Sequence, residues 1–126
     1  MNLPFDAFFC ADYIRGVSLD IIPEKIRIEQ ARLGVTCLGA LGCRFLCLCA
    51  AMAAPRTAVD VGCGIGASTM AIHMGAPDAL NTAIDGNVER AQACAYLTDS
   101  PKIKVHNALA LQYLENTDEL YDFPVV

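Results

Sequence analysis

The stretch Thr57-Ala-Val-Asp-Val-Gly-Cys-Gly-Ile-Gly-Ala-Ser68 changes character halfway along. Its first five residues are a short, largely apolar run of the kind that forms a buried strand. Gly62, Gly64 and Gly66 then alternate with single residues, and a helical pattern begins at Ala67. Glycines at such a junction let the backbone bend sharply and let a ligand approach with no Cβ in its way. The helix that follows points its unpaired N–H groups into the same space, which suits a carboxylate or a phosphate. A strand, a glycine bend and a helix in that order predict an α/β unit with a ligand loop.

Downstream the alternation continues. The pattern predicts a helix over 67–74, a turn at Gly75, Pro77 and Asp78, and a second strand over 80–84 stopped by Asp85-Gly86. Asn87 can cap a third helix, with Glu89 in its first turn and Val88, Ala91 and Ala95 on the face toward a sheet. A third strand over 102–106, a short helix over 108–114 and a fourth strand over 121–126 complete the chain. Strand–helix–strand units of this length need parallel strands joined by right-handed crossovers. The expected fold is therefore α/β, a Rossmann-like doubly wound parallel sheet, with ligands beyond the carboxyl ends of the strands at the switch point.

Upstream, two helices are expected. Pro23 and Glu24 suit a first helical turn, the apolar residues Ile26, Ile28, Ala31 and Leu33 follow, and Gly34 is a C-terminal cap. A second apolar segment over 36–54 ends at Pro55. From 33 to 54 the only charge is Arg44, so a membrane span is a rival reading. A charge at the centre of such a span is costly, and all that follows reads as α/β, which favours a helix packed on the sheet. The chain is expected to be one partial domain over 1–126, helical over 1–55 and a βαβαβ core over 56–126.

Composition narrows the function. The 126 residues are 55% apolar and 18% charged, with net charge −5 and pI about 4.8. An acidic chain with no Lys/Arg run offers nucleic acid no attraction. Seven cysteines, at 10, 37, 43, 47, 49, 63 and 94, show no CxxC pair, and neither His73 nor His106 stands at ligand spacing from them. They read as small buried hydrophobes in a reducing compartment, with no metal site. No basic segment followed by an apolar run opens the chain, so the expected location is cytoplasmic.

Asp85 closes the second strand 23 residues after Gly62, where an acid in a nucleotide-binding sheet accepts hydrogen bonds from the ribose hydroxyls. Gly62-x-Gly-x-x-Ala67 also satisfies the loose dinucleotide fingerprint, so an NAD(P)-binding oxidoreductase fragment is one alternative. Asp60, however, would put a negative charge beside a pyrophosphate, whereas it suits an amino group, and Ser68 offers a hydroxyl to a carboxylate. Amine, carboxylate and ribose together describe S-adenosylmethionine better than NAD. No Gly-Lys-Ser/Thr follows, which excludes a P-loop.

The same stretch resembles motif I of class I S-adenosylmethionine-dependent methyltransferases, and more narrowly the bacterial and catechol-type O-methyltransferases. Thr82-Ala-Ile-Asp85, the segment from Lys102 to Leu114, and Tyr121-Asp-Phe123 resemble the family's later strands. The resemblance implies that Asp60 faces the methionine amino group and that Gly62, Cys63, Gly64 and Gly66 line the methionine and ribose. Ser68 would hold the carboxylate, and Val35 would cover the methionine moiety. Asp85, with Gly86, would bind the ribose, and Asn107 with Ala108 would meet the adenine edge. It further implies methyl transfer to a small-molecule hydroxyl, such as a phenol or catechol.

Three departures qualify it. Asn107 stands where the family usually has Asp, though its carbonyl oxygen can still accept from the adenine amino group. Pro124 is out of place in a central strand. The family's metal ligands, catalytic Lys and acceptor pocket would lie beyond Val126, so a divalent metal such as magnesium is implied only for a longer family member. No catalytic residue is assigned; His106, the one candidate base, has no evident orienting partner. A non-catalytic S-adenosylmethionine-binding module therefore stands as an alternative, and a homodimer or self-association through the last strand stays open.

Overall fold

A computed structural model describes residues 20–126. Cys10 and the first nineteen residues of the 1–55 segment lie outside the described residues. The elements run α1 (Glu24–Leu33), α2 (Ala40–Ala53), β1 (Thr57–Val61), α3 (Ala67–Gly75), β2 (Leu80–Asp85), α4 (Val88–Leu97), β3 (Ile103–Asn107), α5 (Ala110–Glu115) and β4 (Phe123–Val125). All strand pairings are parallel, in the order β3-β2-β1-β4. Each crossover carries a helix, and the order reverses direction beside β1, which opens a crevice at the carboxyl end of that strand. The expected Rossmann-like α/β architecture is the observed one.

The two faces of the sheet follow from strand alternation. Ala83 of β2 and Val105 of β3 pack with Cys94 of α4, so that face carries α4. On the same face Ala58 of β1 packs with Ala50 of α2 and Ile72 of α3. His106, adjacent to Val105, points to the other face and stacks on Tyr113 of α5 with ring centroids 4.8 Å apart. Helices α2, α3 and α4 therefore cover one face, while α5, none of whose residues is buried, lies against the other at β3.

Helices α2 and α3 approach unusually closely. A Cβ built on Gly75 would sit 2.1 Å from the carbonyl oxygen of Cys47. That contact brings Ala50 of α2, 0% exposed, onto the Ile72 side of α3.

Several boundaries differ from the sequence expectation. The second helix begins at Ala40, not near residue 36, with Gly39 extended at its N-cap. Residues 34–39 are loop because Gly34 ends α1 in the left-handed conformation (φ 64°) and Arg27 ties Leu38 down. The guanidinium of Arg27 also pairs with Asp20 and donates to Gln30. The uninterrupted apolar stretch is thus broken, and no helix among the described residues is long and apolar enough to cross a membrane.

In α4 the buried face is Ala91, Cys94 and Leu97, while Val88 is 55% exposed and Ala95 is exposed. Contact with β2 and β3 sets that face, and the first turn of the helix rises clear of the sheet. The last helix starts at Ala110, two residues later than expected. Pro124 lies in β4, opposite Val59. It is tolerated because β4 is an edge of the sheet, where the missing N–H costs no ladder bond on the outer side.

Candidate functional site

A cleft of about 260 Å³ opens at the carboxyl end of β1. Thr36, Cys37 and Leu38 form one side, Asp60 to Gly64 the floor, Ala67 and Ser68 the start of α3, and Val125 the far wall. Gly62 and Gly64 hold φ of 79° and 57°, values side chains rarely tolerate, so the bend requires glycine there. Gly62 N and Cys63 N both donate to Ile84 O, at 2.8 and 3.0 Å, which pins the bend to the end of β2. Gly66 (φ 109°) lies behind the loop. A Cβ there would meet Thr98 Cγ2 at 2.5 Å, so its role is close packing against α4.

Asp60 is 2% exposed although it is ionisable. Ser68 Oγ and Thr69 Oγ1 donate to the same carboxylate oxygen, Oδ2, at 2.7 and 2.8 Å. Two neutral donors partly replace the lost hydration of a buried charge. Burial pushes the Asp60 carboxyl above its ordinary value, against the lowering pull of the two hydroxyls; the nearby Asp85 also raises it. Thr69, 0% exposed, went unnoticed in the sequence. Its signal was the adjacent Ser-Thr pair on the first turn of α3, one turn above a strand acid.

The sign of the pH dependence follows. With its folded pKa raised, the native state holds a proton that the unfolded chain has released once pH exceeds about 3.9. In that window the unfolded state binds fewer protons, so stability falls as pH rises, up to the folded pKa of Asp60. Attraction for a cationic amine runs the other way and strengthens over the same window. Asp60→Asn is expected to flatten this component in a pH series of denaturant melts; an unaltered slope would remove Asp60 as its source.

Asp85 is 8% exposed and joins the two loops. Its Oδ2 accepts from Gly64 N at 2.9 Å and its Oδ1 from Asn87 N at 2.8 Å. Asn87 caps α4 as expected, its side chain accepting from Arg90 N at 3.0 Å. Each carboxylate oxygen has a second lone pair for a ligand hydroxyl. Gly86 is exposed next to it, and Ala108 N donates to Asp85 O at 3.1 Å. Asn107 Nδ2 donates to the same carbonyl at 3.0 Å, which leaves its Oδ1 to accept. Asp85, Gly86, Asn107 and Ala108 are thus gathered at the ends of β2 and β3.

Val35 packs with the core around Ile22, Ile26 and Cys43, while Cys37, two residues on, borders the cleft. A Cβ on Gly64 would lie 3.7 Å from Cys37 Sγ, so that thiol stands over the bend. No periodicity in the loop distinguishes these two positions. His106 is oriented after all: Tyr113 Oη lies 3.4 Å from its Nε2. Among the described residues no group of three or more His, Cys, Asp or Glu gathers to hold a metal.

A second hollow of about 250 Å³, lined in part by Leu80, Lys102, Lys104 and Tyr121, lies at the amino ends of the strands. It contains none of the predicted residues and sits at the end of the sheet opposite to where such folds take ligands.

No protein-family model matches the chain, and no curated protein matches it. Solved structures do. An O-methyltransferase from Bacillus cereus in complex with SAH has a TM-score of 0.71 at 20% identity, over 82% of this chain and 55% of that one. A SAH-bound methyltransferase of Podospora anserina has a TM-score of 0.73 at 19% identity, over 98% and 59%. The O-methyltransferase TomG of Streptomyces achromogenes, in complex with SAM, has a TM-score of 0.70 at 18% identity, over 76% and 46%. The chain spans about half the length of these structures.

Proposed function

We propose that this chain, which has the fold of S-adenosylmethionine-dependent O-methyltransferases, is the S-adenosylmethionine-binding part of such an enzyme. The observation that carries the reading is the pairing of a side-chain-free bend with the Asp85 carboxylate that holds it. The bend leaves room for the ligand, and the carboxylate stands where two ribose hydroxyls need acceptors. Asp60 supplies a charge for the amino group. Ser68, whose proton is directed to Asp60, offers the ligand carboxylate only the N–H side of the α3 start unless its hydroxyl turns. Asn107 Oδ1 accepts from the adenine amino group. Under the same reading the described residues are one unit, with α1 and α2 leading into a βαβαβαβ core over 57–125.

The bound sulfonium supplies an activated methyl group for transfer to an acceptor oxygen, in the proposal a phenol or catechol. The chain's own part is to hold the donor so that acceptor oxygen, methyl carbon and sulfur can align.

Titration calorimetry tests the reading: S-adenosylmethionine and S-adenosylhomocysteine are expected to bind, and NADH to give no heat. The reverse pattern would return the dinucleotide reading. A second reading, a binding module without catalysis, is favoured by one observation. The titratable side chains lining the cleft are Asp60, Cys37 and Cys63, and Asp60 is already engaged by two hydroxyls. Radiolabelled methyl transfer to catechol separates the two readings.

A further inference from the structure

Cys63 and Cys94 come from distant parts of the chain and meet beneath the glycine bend. Cys63 is held through its backbone at the bend, its side chain turned inward and 2% exposed. Cys94 is the middle residue of the buried face of α4, 0% exposed. With Ala83 they form one buried cluster, close enough for each thiol to shift the ionisation of the other. Both are free thiols.

Their surroundings differ. The neighbouring Cys63 thiol draws the Cys94 thiol below its ordinary value, against the upward push of burial, and the hydroxyls of Thr69 and Thr98 add to the lowering. Cys63, beside Cys94 and buried, is pushed up. Two adjacent thiols, one drawn down and the other pushed up, supply an attacking and a resolving sulfur. Cys63 also borders the cleft, which gives a small oxidant a route in while the cleft is empty.

We infer that Cys63 and Cys94 are a modification site, forming an intramolecular disulfide with a hydroperoxide, and that this bond shuts the cleft to its ligand. The second half rests on the function proposed above. The Cys94 thiolate attacks the outer peroxide oxygen, the O–O bond breaks, and the alcohol leaves with a proton from solvent. The resulting sulfenic acid is attacked by the sulfur of Cys63, whose proton departs with the hydroxide as water. In sum two thiols are oxidised by two electrons, and the hydroperoxide is reduced to alcohol and water. The sulfurs must close to about 2.04 Å. Because α4 is packed on the sheet, Cys63 moves instead, and with it Gly62 and Gly64.

The test uses the full reduced chain, tert-butyl hydroperoxide and tryptic mapping. Peptide 57–90 contains Cys63 as its only cysteine and peptide 91–102 contains only Cys94, so a link between them is unambiguous. The expected product is that linked pair, two hydrogens lighter than its parts. Saturating S-adenosylhomocysteine is expected to slow its formation about tenfold or more by occupying the cleft. The oxidised chain is expected to bind S-adenosylhomocysteine about tenfold more weakly, reversibly with dithiothreitol. Cys94→Ser is expected to keep its affinity after peroxide.

Sulfinic acids with no linked pair, or a link through Cys37, would overturn the proposal. So would a linked chain that binds as tightly as the reduced one. If the pair links in a chain that never bound S-adenosylhomocysteine, the proposed function falls while the disulfide stands.

Discussion

Asp85→Ala is expected to weaken S-adenosylhomocysteine binding by roughly 1.5–3 kcal/mol, since hydrogen bonds to a charged acceptor are lost. That is about 10- to 150-fold in Kd. The effect is large because one carboxylate serves two ends. It accepts from Gly64 N and Asn87 N within the protein, and each of its oxygens keeps a lone pair for a ligand hydroxyl. Removing it also frees the Gly64 N–H and loosens the bend. Calorimetry and thermal melting together separate the contributions. The variant should still melt cooperatively, at a lower temperature, while added ligand no longer raises its midpoint as it does for the wild type. Unchanged affinity in a folded variant would remove Asp85 from the binding site.

Gly75→Ala is expected to cost about 3 kcal/mol of stability, the upper end of the usual cost of overpacking. At the size of this domain that lowers Tm by roughly 10 °C. The new methyl would meet a backbone carbonyl, Cys47 O, at 2.1 Å, and no rotamer change relieves a clash with backbone. Helices α2 and α3 would have to part. Gly34→Ala is the contrast. There a Cβ meets nothing within 4 Å, and only the positive φ of 64° opposes it. About 1 kcal/mol is expected for that strain alone. Equal losses for the two variants in denaturant melts would show that α2 and α3 adjust freely and that their close approach is not constraining.

Much of the fold was legible in the sequence because its signals are local. The glycine bend, the acid that ends β2, the Asn87 cap and the Gly34 terminus each act within a few residues, and each stands where expected. What went unread depends on contacts between distant segments. Residues 36–39 are as apolar as the helix they precede, and only Arg27, reaching Leu38 O at 2.9 Å, shows why they stay extended. The inward face of α4 could be read equally well through Val88 or through Cys94 until β3 was packed against it. At the candidate site the acids were legible and their supports were not. Thr69 looks like an ordinary helix residue until the burial of Asp60 demands a second donor, and the exchange of Val35 for Cys37 is a matter of loop path.

The arginine that restrains that loop has a consequence for what can replace it. Its fork spans three oxygen-bearing groups on different segments: the Asp20 carboxylate, the Gln30 amide and the Leu38 carbonyl. A lysine would retain the charge but supply a single point of attachment, too few to span them. The roof over the crevice is therefore secured by a planar shape more than by a charge. Raising ionic strength should leave it in place, whereas a substitution chemists usually regard as conservative should not.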